Sequence, residues 1–251
     1  MSNAYVTIDK AENGLATIEF FHPKHNSLPS DILSKLAKTI EDAGKDDEVR
    51  VIVLRSGGER TFCSGASFTE LISINDLETG KQFFSGFANV INACRKCPKL
   101  IIGRVQGKAV GGGVGVASAV DYCLATKFAA VKLSELNVGI GPFVVGPAVE
   151  RKVGLSAMSQ MTINADHFYP ASWAKEKGLF AEVYDDAAAL DQGVQEIVEY
   201  LLSKNPEAQS LLKGVFWEGC DDWDELLMRR AEMSGKLVLS EYTKVVLAKY
   251  A

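Results

Sequence analysis

Histidine is scarce in this chain: His22, His25 and His167 are the only three in 251 residues. A set so scattered has no metal-ligand spacing. Cysteine is also sparse. Five residues, an odd number with no framework spacing, point to reduced thiols rather than a disulfide scaffold. Cys94-Arg-Lys-Cys97 has the C-x-x-C spacing of redox and zinc sites, but no second pair or nearby histidine completes a set. It also closes a helical segment before Pro98, so its reading is structural. Basic residues do not predominate: 27 Lys and Arg against 32 Asp and Glu leave a net charge of −5. That balance argues against a nucleic-acid surface. No apolar stretch attains the roughly 18 residues of a membrane helix, and the first nine residues lack a basic-then-apolar leader pattern. A cytoplasmic location without membrane partners is expected. Internal repeats, low-complexity tracts and Pro/Ser-rich linkers are absent too.

What is present is 47% apolar and 24% charged residues, in a length suited to one large domain or one domain with a small appendage. Tyr5 to Ile8 and Leu15 to Phe20 alternate around Glu12-Asn13-Gly14, a hairpin signal. Ser30 or Asp31 can cap a helix with Ile32, Leu33, Leu36 and Ile40 on one face. Val49 to Leu54 and Leu100 to Val105 are compact runs of the kind buried in a sheet, with helical periodicity from Leu77 to Cys97 between them. Another strand is expected near Tyr122 to Ala125. This alternation predicts an α/β fold with crossover connections. Beyond Pro170 the pattern turns helical: 186–204, then a helix opened by Pro206, then apolar residues at helical spacing from Trp223 to Lys249.

The chemistry lies in three short segments. Gly107-Lys-Ala-Val-Gly-Gly-Gly-Val-Gly-Val-Ala117 places consecutive glycines where a helix should begin, at a conformational cost. Tight strand–helix packing is one explanation; backbone N–H groups aimed at an anionic oxygen are the other. A second small-residue loop, Cys63-Ser-Gly-Ala-Ser67, favours the latter. If the amides of Ala66 and Gly112 converge, they form an oxyanion hole for a carbonyl that gains negative charge. Glu135 is the sole carboxylate of a long apolar, glycine-rich stretch. Buried there, its pKa would rise toward the range useful for proton transfer; a surface Glu at a strand end is the plainer alternative. Glu150-Arg151 reads as a salt-bridging pair. His22 and His25 flank Pro23-Lys24 in a loop, either solvated or against a ligand.

Together, Arg60-Thr-Phe-Cys-Ser-Gly-Ala-Ser-Phe68, the glycine segment with Asp121, and Leu133-Ser-Glu-Leu-Asn-Val-Gly-Ile-Gly-Pro142 resemble the crotonase superfamily, that is, the enoyl-CoA hydratase/isomerase family. His22-Pro-Lys-His-Asn-Ser-Leu28 resembles its N-terminal substrate loop, and the similarity runs from about Tyr5 to the C-terminus. The resemblance implies a four-turn ββα spiral core over residues 1–195 and a helical region over 196–251 that builds homotrimers, often paired into homohexamers. It implies an acyl-CoA or acyl-carrier thioester substrate whose carbonyl is held by the Ala66 and Gly112 amides, with Glu135 as acid/base. Lys24, Asn26, Ser64, Ser67 and Phe68 would lie along the CoA-binding segments. No metal or redox cofactor is implied, CoA being part of the substrate. An acyl pocket is expected around Leu71, Ile72, Phe83, Phe87, Phe143 and Val144.

Two departures stand out. Hydratases of the family typically use two glutamates, and the place of the first is Gly115 here; Ser67 stands where Asp is common. With Glu135 alone, the simplest chemistry is double-bond isomerisation through an oxyanion-stabilised enolate. Hydration of a branched or unusual enoyl-CoA, decarboxylation of a malonyl-type thioester, and silent acyl-CoA binding are the alternatives.

Overall fold

Positive-φ Gly14 (φ 94°) closes a turn in which the amide of Ala11 bonds Leu15 O at 2.9 Å. The turn joins β1 (Tyr5–Lys10) to β2 (Leu15–Phe21), whose Ala16, Ile18 and Phe20 all face the core, as period-two alternation requires. The computed structural model describes residues 3–250. A two-residue strand β3 (Ser27–Leu28) leads into α1 (Ser30–Lys45). That helix is not capped by Ser30 or Asp31. Pro29 is its N-cap, and the Ser30 amide and hydroxyl instead bond the Glu70 carboxylate at 3.0 and 2.7 Å.

The chain continues through β4 (Val51–Ser56), β5 (Thr61–Cys63), β6 (Gly65–Ala66), α2 (Phe68–Ser73) and α3 (Leu77–Lys96). Next come β7 (Leu100–Val105), β8 (Lys108–Val110) and α4 (Gly112–Ala119). The following turn consists of β9 (Tyr122–Thr126), β10 (Ala130–Lys132), a 3-10 turn (Glu135–Val138) and α5 (Gly146–Ile163). Each turn of this repeating pattern, β2–β3–α1, β4–β5–α3, β7–β8–α4 and β9–β10–α5, is one ββα unit of a spiral. β11 (Tyr169–Pro170), α6 (Ala171–Glu176), β12 (Glu182–Tyr184) and α7 (Ala187–Leu202) complete the core.

The first strand of each turn enters a six-stranded sheet of order β1-β2-β4-β7-β9-β12, parallel except for the β1–β2 hairpin. A smaller sheet, β11-β10-β8-β5, and the pair β3-β6 run beside it. All six residues of β7 are buried, as expected of a parallel strand covered on both faces. The main apolar cluster covers one face of the large sheet. On the other, Val51, Val53, Ile102 and Leu124 pack against Leu190, Val194 and Val198 of α7. A boundary at residue 195 therefore falls inside a helix that belongs to the core.

Three helices follow, α8 (Pro206–Phe216), α9 (Trp223–Val238) and α10 (Glu241–Leu247). The periodic stretch from Trp223 breaks where Ser240 Oγ accepts the Thr243 amide and starts a new helix. Asp121 secures α8: its carboxylate accepts Lys213 Nζ at 2.6 Å, Trp217 Nε1 at 3.2 Å and the Ile101 amide at 2.8 Å. Arg151, expected to pair with Glu150, lies instead over the Trp217 ring, 4.0 Å from its centroid. Cys94 and Cys97 are buried, and desolvation pushes the Cys94 thiol up to about 12.

Candidate active site

The glycine run begins α4 with a backbone that only glycine adopts readily. Gly111 has φ 52° and ψ −116°, and its amide donates to Lys132 O at 2.8 Å. Gly112 is the first helical residue, so its N–H is one that helix geometry leaves without an intrahelical acceptor. The small residues permit close approach. A Cβ at Gly112 would meet the Phe87 ring at 2.3 Å, and one at Gly113 would meet Cys63 O at 2.4 Å. From the other loop, a Cβ at Gly65 would lie 3.8 Å from Gly112 N. The two loops therefore converge. In the β3–β6 pair, the Ser67 amide bonds Leu28 O at 3.0 Å. By the alternation of a parallel ladder, the Ala66 amide faces away from β3.

Glu135 opens the 3-10 turn after β10, and its carboxylate reaches back to the glycines: a Cβ at Gly111 would lie 2.9 Å from Oε1. The residue as a whole is half-buried, yet Oε2 is shielded from solvent and has no hydrogen-bond partner. Desolvation pushes the carboxyl up to about 7. Its loop is held by positive-φ Gly139, whose carbonyl accepts Thr243 Oγ1 of α10 at 3.1 Å. One cavity is lined by Ala66, Gly112 and Glu135 together, with walls that include Phe68, Phe83 and Val145.

Gly115 is packed out of this cavity. A Cβ there would meet Val145 Cγ1 at 2.5 Å and Val145 Cβ at 2.8 Å, so Val145 fills the room that a larger side chain at 115 would need. Glu135 is consequently the one charged side chain lining the cavity among the described residues.

The residues expected along the CoA segments divide into two groups. Ser64 and Phe68 line the cavity. Asn26 does not: it is 2% exposed, with Nδ2 bonded to Gly57 O and Thr61 O, both at 2.9 Å, and Oδ1 accepting the His22 amide at 2.8 Å. Its side chain is committed to holding the loop, in which both it and His25 have positive φ. Ser67 caps α2 by accepting the Glu70 amide at 3.3 Å. Lys24 is at the surface, its Nζ 3.5 Å from Thr69 Oγ1. Leu71, Phe83, Phe87, Phe143 and Val144 line the cavity, whereas Ile72 is 38% exposed and points elsewhere. Phe84, Val145 and Ser234 line it without having been anticipated. Val145 directly follows Phe143 and Val144, which were expected in the acyl pocket. Ser234 is carried in by α9, and nothing local to its sequence signals it.

The sequence model of one family, enoyl-CoA hydratase/isomerase, matches residues 10–237. The short-chain-enoyl-CoA hydratase of Clostridium acetobutylicum is 28% identical over 236 residues, 93% of this chain and 89% of the relative. The peroxisomal Delta(3,5)-Delta(2,4)-dienoyl-CoA isomerase of Arabidopsis thaliana is 28% identical over 209 residues, 77% of this chain and 73% of its own. Among solved structures, an enoyl-CoA hydratase of Mycobacterium smegmatis superposes with a TM-score of 0.81 at 27% identity, covering 91% of this chain and 88% of that one. One from Bacillus halodurans reaches 0.89 over 99% of this chain and 100% of its own, at 18% identity, which speaks to the fold alone.

Proposed function

Because the chain belongs to the enoyl-CoA hydratase/isomerase family, which acts on acyl-CoA thioesters, we propose that it shifts the double bond of an enoyl-CoA with Glu135 as its single acid/base. In this reading the thioester oxygen of a 3-enoyl ester accepts the Ala66 and Gly112 amides. Glu135 removes a proton from the α carbon, and the electron pair spreads over a dienolate whose oxygen charge the two amides stabilise. The same carboxyl then returns a proton at the γ carbon, leaving the 2-enoyl ester. A carboxyl at about 7 is suited to both halves, since it is neither a feeble base nor a reluctant acid near neutral pH. Proton transfer of this kind needs no metal or redox group; CoA, or an acyl-carrier arm, enters with the substrate.

The observation that carries this reading is Val145 against Gly115. The second acid implied for hydratases has neither a carboxyl nor room here. Hydration by Glu135 alone is the second reading, supported by the hydratase name of a relative that matches 93% of this chain. Ultraviolet and mass-spectrometric assays over 2-enoyl-, 3-enoyl- and malonyl-CoA esters separate the readings. A shifted bond supports isomerisation, a gained water hydration, and lost carbon dioxide decarboxylation. No change in any ester would leave silent binding. Assembly into homotrimers or homohexamers is part of the proposal, supported by the exposed Leu211, Leu212, Val215 and Phe216 of α8. Among the described residues no helix is long and apolar enough to cross a membrane.

A further inference from the structure

The wall of the cavity that holds Glu135 includes Phe83, Phe84 and Phe87 of α3 and Ser234 of α9. Phe87 marks the end beside the amides, where its ring abuts Gly112. Gly80 lies seven residues earlier on α3 and meets Gly235 of α9. A Cβ at Gly80 would come within 3.0 Å of Gly235 Cα, and one at Gly235 within 2.9 Å of Lys81 N. Seven helical residues rise about 10 Å, and Phe83 and Phe84 line the wall between. At this level Ser234 lines the cavity. It is 1% exposed, and its hydroxyl donates to Arg230 O at 3.3 Å. Because Ser234 lines the cavity beside the Gly80–Gly235 contact, a larger side chain at 234 would take up part of its volume.

The cavity measures about 170 Å³. An apolar protein cavity of about 150 Å³ accommodates a benzene ring, six carbons. The walls are mainly aromatic and aliphatic, with no cation among the described lining residues to meet a distal carboxylate. Burying such a group unpaired is strongly unfavourable. We propose, resting on the reading of this cavity as an acyl pocket, that its occupant is a short apolar acyl chain of about six carbons or fewer, without a distal charge, and that Ser234 sets its length limit.

Calorimetric binding of saturated acyl-CoAs to the intact protein tests this independently of the reaction catalysed. Each buried methylene adds affinity, so hexanoyl-CoA binds about tenfold more tightly than butanoyl-CoA, and octanoyl- and decanoyl-CoA gain nothing further. Glutaryl-CoA, short but with a distal carboxylate, binds more weakly than pentanoyl-CoA. Ser234→Leu weakens hexanoyl-CoA more than butanoyl-CoA, and Ser234→Gly moves the optimum toward octanoyl-CoA. Affinity that climbs through decanoyl-CoA, or an unchanged length profile in both variants, overturns the proposal while leaving the acyl-CoA reading intact. Binding of none of the esters overturns both.

Discussion

Replacing Glu135 by Gln should make the protein more stable in alkali as it makes the protein inactive. Desolvation raises the carboxyl from 4.5 to about 7. At about 1.4 kcal/mol per unit, ionising it in the folded state costs about 3 kcal/mol. The sign follows from a folded pKa above the unfolded one. Below pH 4.5 the carboxyl is neutral in both states and the cost is absent. It grows as pH rises through about 7, then saturates. Gln cannot ionise, so the stability of Glu135→Gln relative to wild type should increase by about 3 kcal/mol between pH 4.5 and pH 8. In a chain of this size that corresponds to roughly 6–12 °C in Tm. Chemical denaturation across this pH range reads the difference, and its change with pH excludes the constant effect of exchanging an oxygen for an amide nitrogen. Turnover should fall by about 10²–10⁴. A pH-independent stability difference would show that the carboxylate is solvated, and surviving turnover would show that it is not the acid/base.

The pH dependence of activity follows from the same group: kcat/KM for a 3-enoyl ester should rise about tenfold per pH unit below about 7, then level off once the base is ionised. A profile that falls across this range would assign the carboxyl the opposite role. Gly115→Glu should destabilise by about 1–3 kcal/mol or more through its collision with Val145, measured by denaturation. Adding Val145→Gly should recover part of that loss and allow measurable water addition. Lys213→Met strands Asp121, since both side chains are nearly buried, 2% and 4% exposed; a loss of about 3–5 kcal/mol is expected. Asp121→Asn in the same chain should restore part of it, and no recovery would mean that the pair is not the source.

The spiral was legible because its units are local: each strand run, glycine turn and helical stretch carries its own signal, and alternation implies crossover. The approach of the two small-residue loops, which puts Ala66 and Gly112 in the lining of one cavity, was legible too, because unneeded glycines at two loops ask for a shared reason. Three features were not legible, each because it depends on contacts distant in sequence. Asn26 lies in a segment that resembles a substrate loop, but its amide is consumed by Gly57 and Thr61. Gly115 shows that an acid is missing, but only the placement of Val145 shows that its space is filled. Ser234 reaches the cavity through the Gly80–Gly235 contact, which no periodicity announces. Residue 195 falls within α7, which looks like the other late helices in sequence; its packing against Val51 and Leu124 is visible only in the structure.

The most direct test of the single-carboxylate account is to incubate a short 3-enoyl-CoA with the protein in deuterium oxide enriched in heavy oxygen and to weigh and sequence the label in the product. The account predicts a 2-enoyl ester without heavy oxygen, in which deuterium at the γ carbon is at most partial, because the same shielded carboxyl carries the α proton across. A 3-hydroxyacyl ester containing heavy oxygen as the main product would contradict it.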